Sequence, residues 1–293
     1  MSNITFEDGK YVGRIDGKVV VRSTSKYYVQ KRVEGVPSTS FVAPVETAPV
    51  VEFPINQRFE FVFDLVTMVA TGATASAIIT GEGGLGKTHT VVQALKAAGL
   101  RDISEVPAGE VVPPKSTYRL VKGFSTAKGL YRILAENANS VIVFDDCDSV
   151  LKDDNALNIL KGALDTYGKR FISWNSSRDD DDIPRFFQFK GGIVFISNKT
   201  LPSIDQAVRS RAMCVDLSMT LGQKIERMAM IMREDSFMPE ASMECKQASL
   251  DLIDSLKEKS KEVSMRTLIK TTKIAMAGRP NWKSLAEYML LQG

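Results

Sequence analysis

From Ile55 onward, short apolar runs are separated by amphipathic stretches. Ala77–Thr80, Tyr118–Val121, Val141–Phe144, Ile193–Ile196 and Met213–Leu217 are each bounded by loop residues and apolar at successive positions. Runs of this kind predict strands covered on both faces. Helical spacing falls between them, over 89–98, 126–138, 154–166 and 203–210, and Phe59, Val62, Phe63, Val66 and Val69 predict a buried-face helix ahead of the first strand. Strands alternating with helices predict an α/β fold, a doubly wound parallel sheet with helices on both sides. After Ser218 the strands stop. Residues 220–234, 243–259, 264–277 and 281–291 read as helices, so an all-helical domain is expected to close the chain.

Upstream, residues 1–34 read as short strands. Lys10–Arg14 and Lys18–Ser23 flank Asp16-Gly17, a hairpin pair because both residues tolerate positive φ. Lys10, Arg14, Lys18, Arg22, Lys26, Lys31 and Arg32 outnumber Glu7, Asp8, Asp16 and Glu34. That excess fits either a small nucleic-acid or partner-binding appendage or a solvated strand face. Gly35–Pro54 carries Pro37, Pro44, Pro49 and Pro54 and predicts an extended linker. The expected division is a β-rich segment over 1–34, a linker over 35–54, an α/β domain over 55–218 and a helical domain over 219–293.

Composition narrows the chemistry. Of 293 residues, 44% are hydrophobic and 25% charged, the balance of a globular protein rather than a disordered or fibrous one. The longest uncharged stretch, Leu65–Gly81, is diluted by Thr67, Thr71, Gly72, Thr74 and Ser76 and is too polar to span a bilayer. The first residues have no basic segment followed by an apolar one, so no secretion signal is expected. Cys147, Cys214 and Cys245 are odd in number and lack CxxC spacing, which favours a reducing, cytoplasmic setting over disulfides or zinc. His89 is the single histidine, so a two-histidine metal site is excluded. The net charge of +3 is too small to imply nucleic-acid binding.

Gly81-Glu82-Gly83-Gly84-Leu85-Gly86-Lys87-Thr88 matches G-x-x-x-x-G-K-[ST], directly after an apolar strand and opening a helix. Glycines let backbone N–H groups converge on phosphate oxygens, and the helix adds its positive end. Lys87 is expected on the β- and γ-phosphates and Thr88 on Mg²⁺, with His89 next to the nucleotide. Val141–Phe144 ends in Asp145-Asp146, two carboxylates at the ligand-binding edge of a doubly wound sheet. Asp145 fits the residue that holds Mg²⁺, and Asp146 the one that polarises the attacking water. Asp148 reads as a loop or helix-cap residue.

These motifs resemble the AAA+ ATPases, a branch of the P-loop NTPases, over residues 55–280. The resemblance implies an ATP- and Mg²⁺-dependent hydrolase with ATP between the α/β domain and the helical lid. Ile193–Asn198 looks like the sensor 1 strand, with Asn198 placing the lytic water. Ser210-Arg211 before the last strand resembles a trans-acting arginine finger, Arg211 first and Arg209 second. Ser264-Met265-Arg266 resembles sensor 2, with Arg266 reaching the γ-phosphate. A shared site implies a ring or arc of identical chains, a hexamer being the expected number, that remodels or loads a macromolecular complex. The stretches Phe144–Ser149 and Asn158–Asp165 also look like uncharacterised phage AAA+ proteins, which would place the chain in a host cytoplasm.

Two departures qualify that pattern. The family usually has Asp-Glu where this chain has Asp145-Asp146, so the shorter carboxylate leaves open a slowly hydrolysing, ATP-dependent assembly switch. Phe171–Trp174 and Phe186–Phe189 bracket Arg178–Asp182 and suggest a hairpin inserted before sensor 1. Adjacent aspartates would repel a phosphate backbone, although a nucleic-acid motor of helicase or branch-migration type stays an alternative. Phe124, after the second core strand, falls where ring-forming members place a pore loop and is equally readable as a core aromatic. Trp174 and Trp282 carry no signal separable from packing.

Overall fold

Two units, Met1–Glu52 and Phe53–Gly293, make up the computed structural model, which describes residues 2–34, 53–123, 126–165, 168–175 and 182–292. Most of the expected linker, Phe124 and Asp179–Asp181 lie outside the described residues.

In the first unit, β1 (Ser2–Glu7), β2 (Lys10–Ile15) and β3 (Lys18–Ser23) form an antiparallel meander. Asp8-Gly9 and Asp16-Gly17 make its turns, all four residues at positive φ. Residues 26–34 correct the expectation of strands alone, because Lys26–Glu34 is a helix, α1. Tyr27, Tyr28, Val29 and Val33 favour strands individually, but Val29 and Val33 stand four apart and are buried together over Gly13. A Cβ at position 13 would lie 2.4 Å from Val33 Cγ2, so the helix seats on the missing side chain. Glu7 accepts two hydrogen bonds from Arg14, at 2.7 and 2.8 Å, and its pKa falls from 4.5 to about 2.

In the second unit, α2 (Ile55–Thr71) leads into β4 (Ser76–Thr80) and α3 (Lys87–Ala97). Then come β5 (Arg101–Asp102), β6 (Thr117–Lys122), α4 (Ala127–Glu136), β7 (Val141–Asp145) and α5 (Asp154–Ala163). A hairpin of β8 (Arg170–Ser173) and β9 (Phe186–Phe189) precedes β10 (Gly192–Ser197), α6 (Gln206–Arg209) and β11 (Met213–Asp216). The six-stranded sheet runs β11-β4-β10-β7-β6-β5, every pair parallel. Adjacent β4 and β10 send their connections in opposite directions, which opens a crevice at their C-terminal ends. The edge strand β5 was not expected; two residues give no readable alternation. The helix expected over 203–210 is a single turn, Gln206–Arg209, after a 3₁₀ turn at Leu201–Ser203.

Period-two alternation sorts the strand residues into two layers. Ala77, Ile79, Val141, Val143, Val194 and Ile196 pack under α2 and α3, while Ile78, Ile142, Phe144, Ile193 and Phe195 face α4 and α5. Each fully buried aliphatic of this kind stabilises the fold by about 1.5–3 kcal/mol. The expected hairpin is present, and its Ile172 and Phe189 join the second layer. Asp182 pairs with Lys128 and Arg132 of α4, so the last aspartate of the acidic run fastens the hairpin to the core.

Four helices close the chain, α7 (Leu221–Ile231), α8 (Met243–Leu256), α9 (Met265–Met276) and α10 (Trp282–Gln292). Thr220 and Ser264 begin α7 and α9 with reciprocal capping boxes, and Met228, Met232, Leu250, Ile253, Leu268 and Leu290 fill a separate core. No helix among the described residues is long and apolar enough to cross a membrane.

A backbone approach at the start of β10 offers a stability test. A Cβ on Gly191 would sit 1.9 Å from the Ser140 carbonyl oxygen, whereas one on Gly162 of α5 meets nothing within 4 Å. Gly191→Ala is expected to destabilise the protein by about 2–3 kcal/mol. Gly162→Ala should be neutral or stabilising by up to about 1 kcal/mol. Urea midpoints for both variants measure this, and equal shifts would contradict the packing described.

Candidate functional site

The C-terminal ends of β4, β7 and β10 meet at one edge of the sheet, which brings their loops together. After β4 the chain turns through Gly84 (φ +77°) and Gly86 (φ +96°) into α3, a left-handed path suited to glycine. Lys87 opens α3 and folds back over the loop. Its Nζ donates to Gly81 O at 2.7 Å, Glu82 O at 2.6 Å and Asn198 Oδ1 at 2.9 Å. Burial pushes the ammonium pKa down, against the opposing pull of Asp146 and Asp145.

Two strand ends supply the acids. The Thr88 hydroxyl stands 3.1 Å from each Asp145 carboxylate oxygen, and Lys122 Nζ lies 3.7 Å from Oδ2. Asn198 Nδ2 donates to Asp146 Oδ1 at 2.5 Å, so Lys87, Asn198 and Asp146 form one hydrogen-bonded chain. Asp146 holds a left-handed backbone at φ +56°, a conformation unfavourable for a side-chain-bearing residue by about 1–3 kcal/mol. Its N–H donates to Ile196 O at 3.2 Å. Beneath, Phe144 and Phe195 stack at 4.8 Å and set β7 and β10 as a firm base.

The helical domain contacts the same loop. Met265 N–H donates to Gly84 O at 2.8 Å, and a Cβ on Gly84 would touch Ser264 Cβ at 3.0 Å. Lys224 of α7, with 10% of its side chain exposed, pairs with Glu82. Arg227, also on α7 and buried, lies 3.8 Å over the Phe59 ring of α2. A cavity of about 470 Å³, open to solvent, is lined by Gly83, Gly84, Gly86, Lys87, Thr88, His89, Lys122, Gly123, Asp145, Asp146, Asn198 and Arg266.

Most of the expected residues therefore converge, with exceptions. The Leu85 side chain is buried, and Glu82 turns to Lys224 instead of the cavity. Arg211 and Arg209 do not line it. Arg211 precedes β11 at the opposite edge of the sheet, where its Nη1 donates to Ala207 O at 2.7 Å and its carbonyl accepts from Ser76 Oγ. Arg209 Nε is buried with no hydrogen-bond partner among the described residues.

Three residues make contacts here that the sequence reading did not assign to them, Asp148 having been read only as a loop or helix-cap residue. Lys122 pairs in register with Asp145, a neighbour that a charge at the end of the second core strand could have signalled. Asp148 accepts from Ser197 Oγ at 2.7 Å, and Ser197 Oγ accepts from Lys199 N–H at 3.1 Å, which braces the turn carrying Asn198. Lys224 had no local signal, since its role depends on how the helical domain docks.

Chemically, the cavity combines cations (Lys87, Lys122, Arg266) with a hydroxyl and carboxylates at its floor. Cations and loop N–H groups suit phosphate, and Thr88 with Asp145 presents two oxygen donors to a hard divalent cation. Among the described residues no three His, Cys, Asp or Glu side chains gather as a metal cage. An ion held here by Thr88 and Asp145 would take its other ligands from phosphate and water.

The central six-stranded parallel sheet, the glycine-rich turn after β4 and the C-terminal helical bundle define a doubly wound α/β architecture followed by a helical domain. No family model matches the chain. A protein of Enterobacteria phage T4, described as an uncharacterised 36.7 kDa protein in the nrdC-mobD intergenic region, is 29% identical over 305 residues, covering 95% of this chain and 86% of that protein. Among solved structures, the Aeropyrum pernix Orc1 protein in complex with DNA overlaps 81% of this chain at a TM-score of 0.45 and 15% identity. Caenorhabditis elegans PCH-2 overlaps 81% at 0.42 and 11%. The chain spans just under two thirds, 66%, of each of those two structures.

Cys147 sits within this acidic turn, buried, and its thiol pKa rises from 9.0 to about 11, chiefly through burial. Native Cys147 should therefore alkylate at least about 100-fold more slowly at pH 8 than in the unfolded chain. Because the unfolded thiol ionises first, this group removes stability as pH rises from 9 towards 11. Mass-spectrometric alkylation rates would reveal the contrary if Cys147 reacted as fast as an exposed thiol.

Proposed function

We propose that this chain binds Mg-ATP in the cavity and hydrolyses it as an AAA+ ATPase, each site being completed by a neighbouring copy in a ring or arc, a hexamer being the expected size. Such an assembly would remodel or load a macromolecular complex in the cytoplasm, a host's if the chain is phage-encoded. The observation that carries this reading is the approach of Thr88 Oγ1 to both Asp145 oxygens beside the Lys87–Asn198–Asp146 chain. Lys87 and the loop N–H groups would hold the β- and γ-phosphates, with Arg266 facing them from the lid. Thr88 and Asp145 would hold Mg²⁺, which would neutralise charge on the phosphate oxygens. Asp146 would take the proton of the attacking water, which Asn198 helps to orient. Arg211 would act on the neighbour's phosphates, in keeping with its place away from its own chain's cavity.

A slowly turning assembly switch is the second reading. It is favoured by Asp146 being a short carboxylate already engaged by Asn198 at 2.5 Å.

Three substitutions test the site. Lys87→Ala should weaken nucleotide binding about 100-fold by calorimetry, since it removes the charge-assisted contacts to phosphate. Asp146→Asn should bind nucleotide normally and turn over about 10²–10⁴-fold more slowly; unchanged turnover would remove the role given to Asp146. Arg211→Ala should lose about 10³-fold or more in rate, and mixing it with Lys87→Ala chains should restore activity. A fully active Arg211→Ala protein that needs no such mixing would refute the shared site.

A further inference from the structure

A second cavity, of about 320 Å³ and open to solvent, lies at the other end of the parallel sheet. It forms where β4, β7 and β10 begin, beside the C-terminal end of α2, so the length of the strands separates it from the cavity around Lys87. Lys115, Arg170 and Lys190 line it, with Asp165 the one carboxylate among its described lining residues.

Packing fixes two of these cations at the cavity. Arg170 Nη2 donates to Gly191 O at 2.6 Å and Nη1 to Ala163 O at 2.9 Å, with the guanidinium 5.0 Å over the Phe189 ring. Burial pushes the Arg170 pKa down by more than Asp165 raises it. Lys115 Nζ would lie 3.3 Å from a Cβ on Gly72, the residue that ends α2. Among the described residues, neither Lys115 nor Lys190 has an ion pair or a side-chain hydrogen bond.

Carbonyls around the cavity, which would favour a cation, are already taken. Asn139 O accepts from Lys115 N–H at 3.0 Å, Ala75 O from Ile193 N–H at 3.1 Å, and Gly191 O from Arg170. At the end of α2, Val69 O accepts from Gly72 N–H, and Met68 O from the N–H groups of Ala73 and Thr74. That helix end therefore spends much of its negative character on its own turn. Three positive charges against one negative suit a ligand carrying two or more negative charges. The volume falls at the lower end of small-molecule pockets, about 300–1,000 Å³, and is more than a lone phosphate ion would fill.

We propose that this cavity binds a small phosphate-bearing anion, its phosphoryl oxygens held by Lys115, Arg170 and Lys190. The site is independent of the ATP reading, since no residue of the cavity around Lys87 takes part.

Calorimetry with inorganic pyrophosphate, in EDTA and on the full chain carrying Lys87→Ala, tests the proposal with the phosphate loop disabled. Binding is expected to persist in that chain and to weaken about tenfold or more on adding Lys190→Gln. Lys115→Asn should weaken it likewise, asparagine being suited to the left-handed backbone there, φ +63°. Both lysines are exposed, so the urea midpoints of these variants should match the parent's. Lys190→Arg should retain binding. The proposal is overturned if millimolar pyrophosphate does not bind the Lys87→Ala chain, or binds it equally with and without the two lysines. Equal loss of affinity in Lys190→Arg and Lys190→Gln would also overturn it, since charge would then not be what holds the anion.

Discussion

A single buried ammonium organises the site. Lys87 Nζ has three oxygen partners, two in the loop after β4 and one on Asn198 after β10. A cation taken out of water needs that full set of acceptors, so the ends of two neighbouring strands and the start of α3 are held in one arrangement. Because Asn198 also donates to Asp146, the end of β7 joins the same chain. The two-layered core beneath, with Phe144 stacked on Phe195, leaves these groups little freedom to drift.

The helical domain meets the loop through polar contacts more than through its own core. Met265 N–H on Gly84 O and Lys224 on Glu82 attach α9 and α7 directly to the turn that Lys87 closes. Lys224 is nearly buried while Glu82 is largely exposed, 10% against 61%, so the pair joins an interior charge to one at the rim. The loop that Lys87 closes thus carries these two contacts with the helical domain on its other side.

Asp146 shows how far a motif can be read without coordinates. Two acids after an apolar strand were legible because a parallel strand must end at the sheet's ligand edge. The left-handed backbone at Asp146 and its bond to Asn198 were not, since they arise from the register of β7 against β10. The same holds for Lys122, whose nearness to Asp145 is a property of strand pairing.

Local order carried the elements that repeat a simple rule. Apolar runs marked β4, β6, β7, β10 and β11, helical spacing marked α2 to α5 and α7 to α10, and Gly-rich spacing marked the loop, because each depends on neighbours within a few positions. The helix α1 escaped because its residues favour strands, and only packing of Val29 and Val33 on a bare Gly13 settles the matter. Docking of Lys224 on Glu82, bracing of Asn198 by way of Asp148 and Ser197, and the far-edge position of Arg211 likewise came from the fold. Each joins residues distant in the chain, and their meeting is set by which surfaces bury together rather than by the order in which they are written.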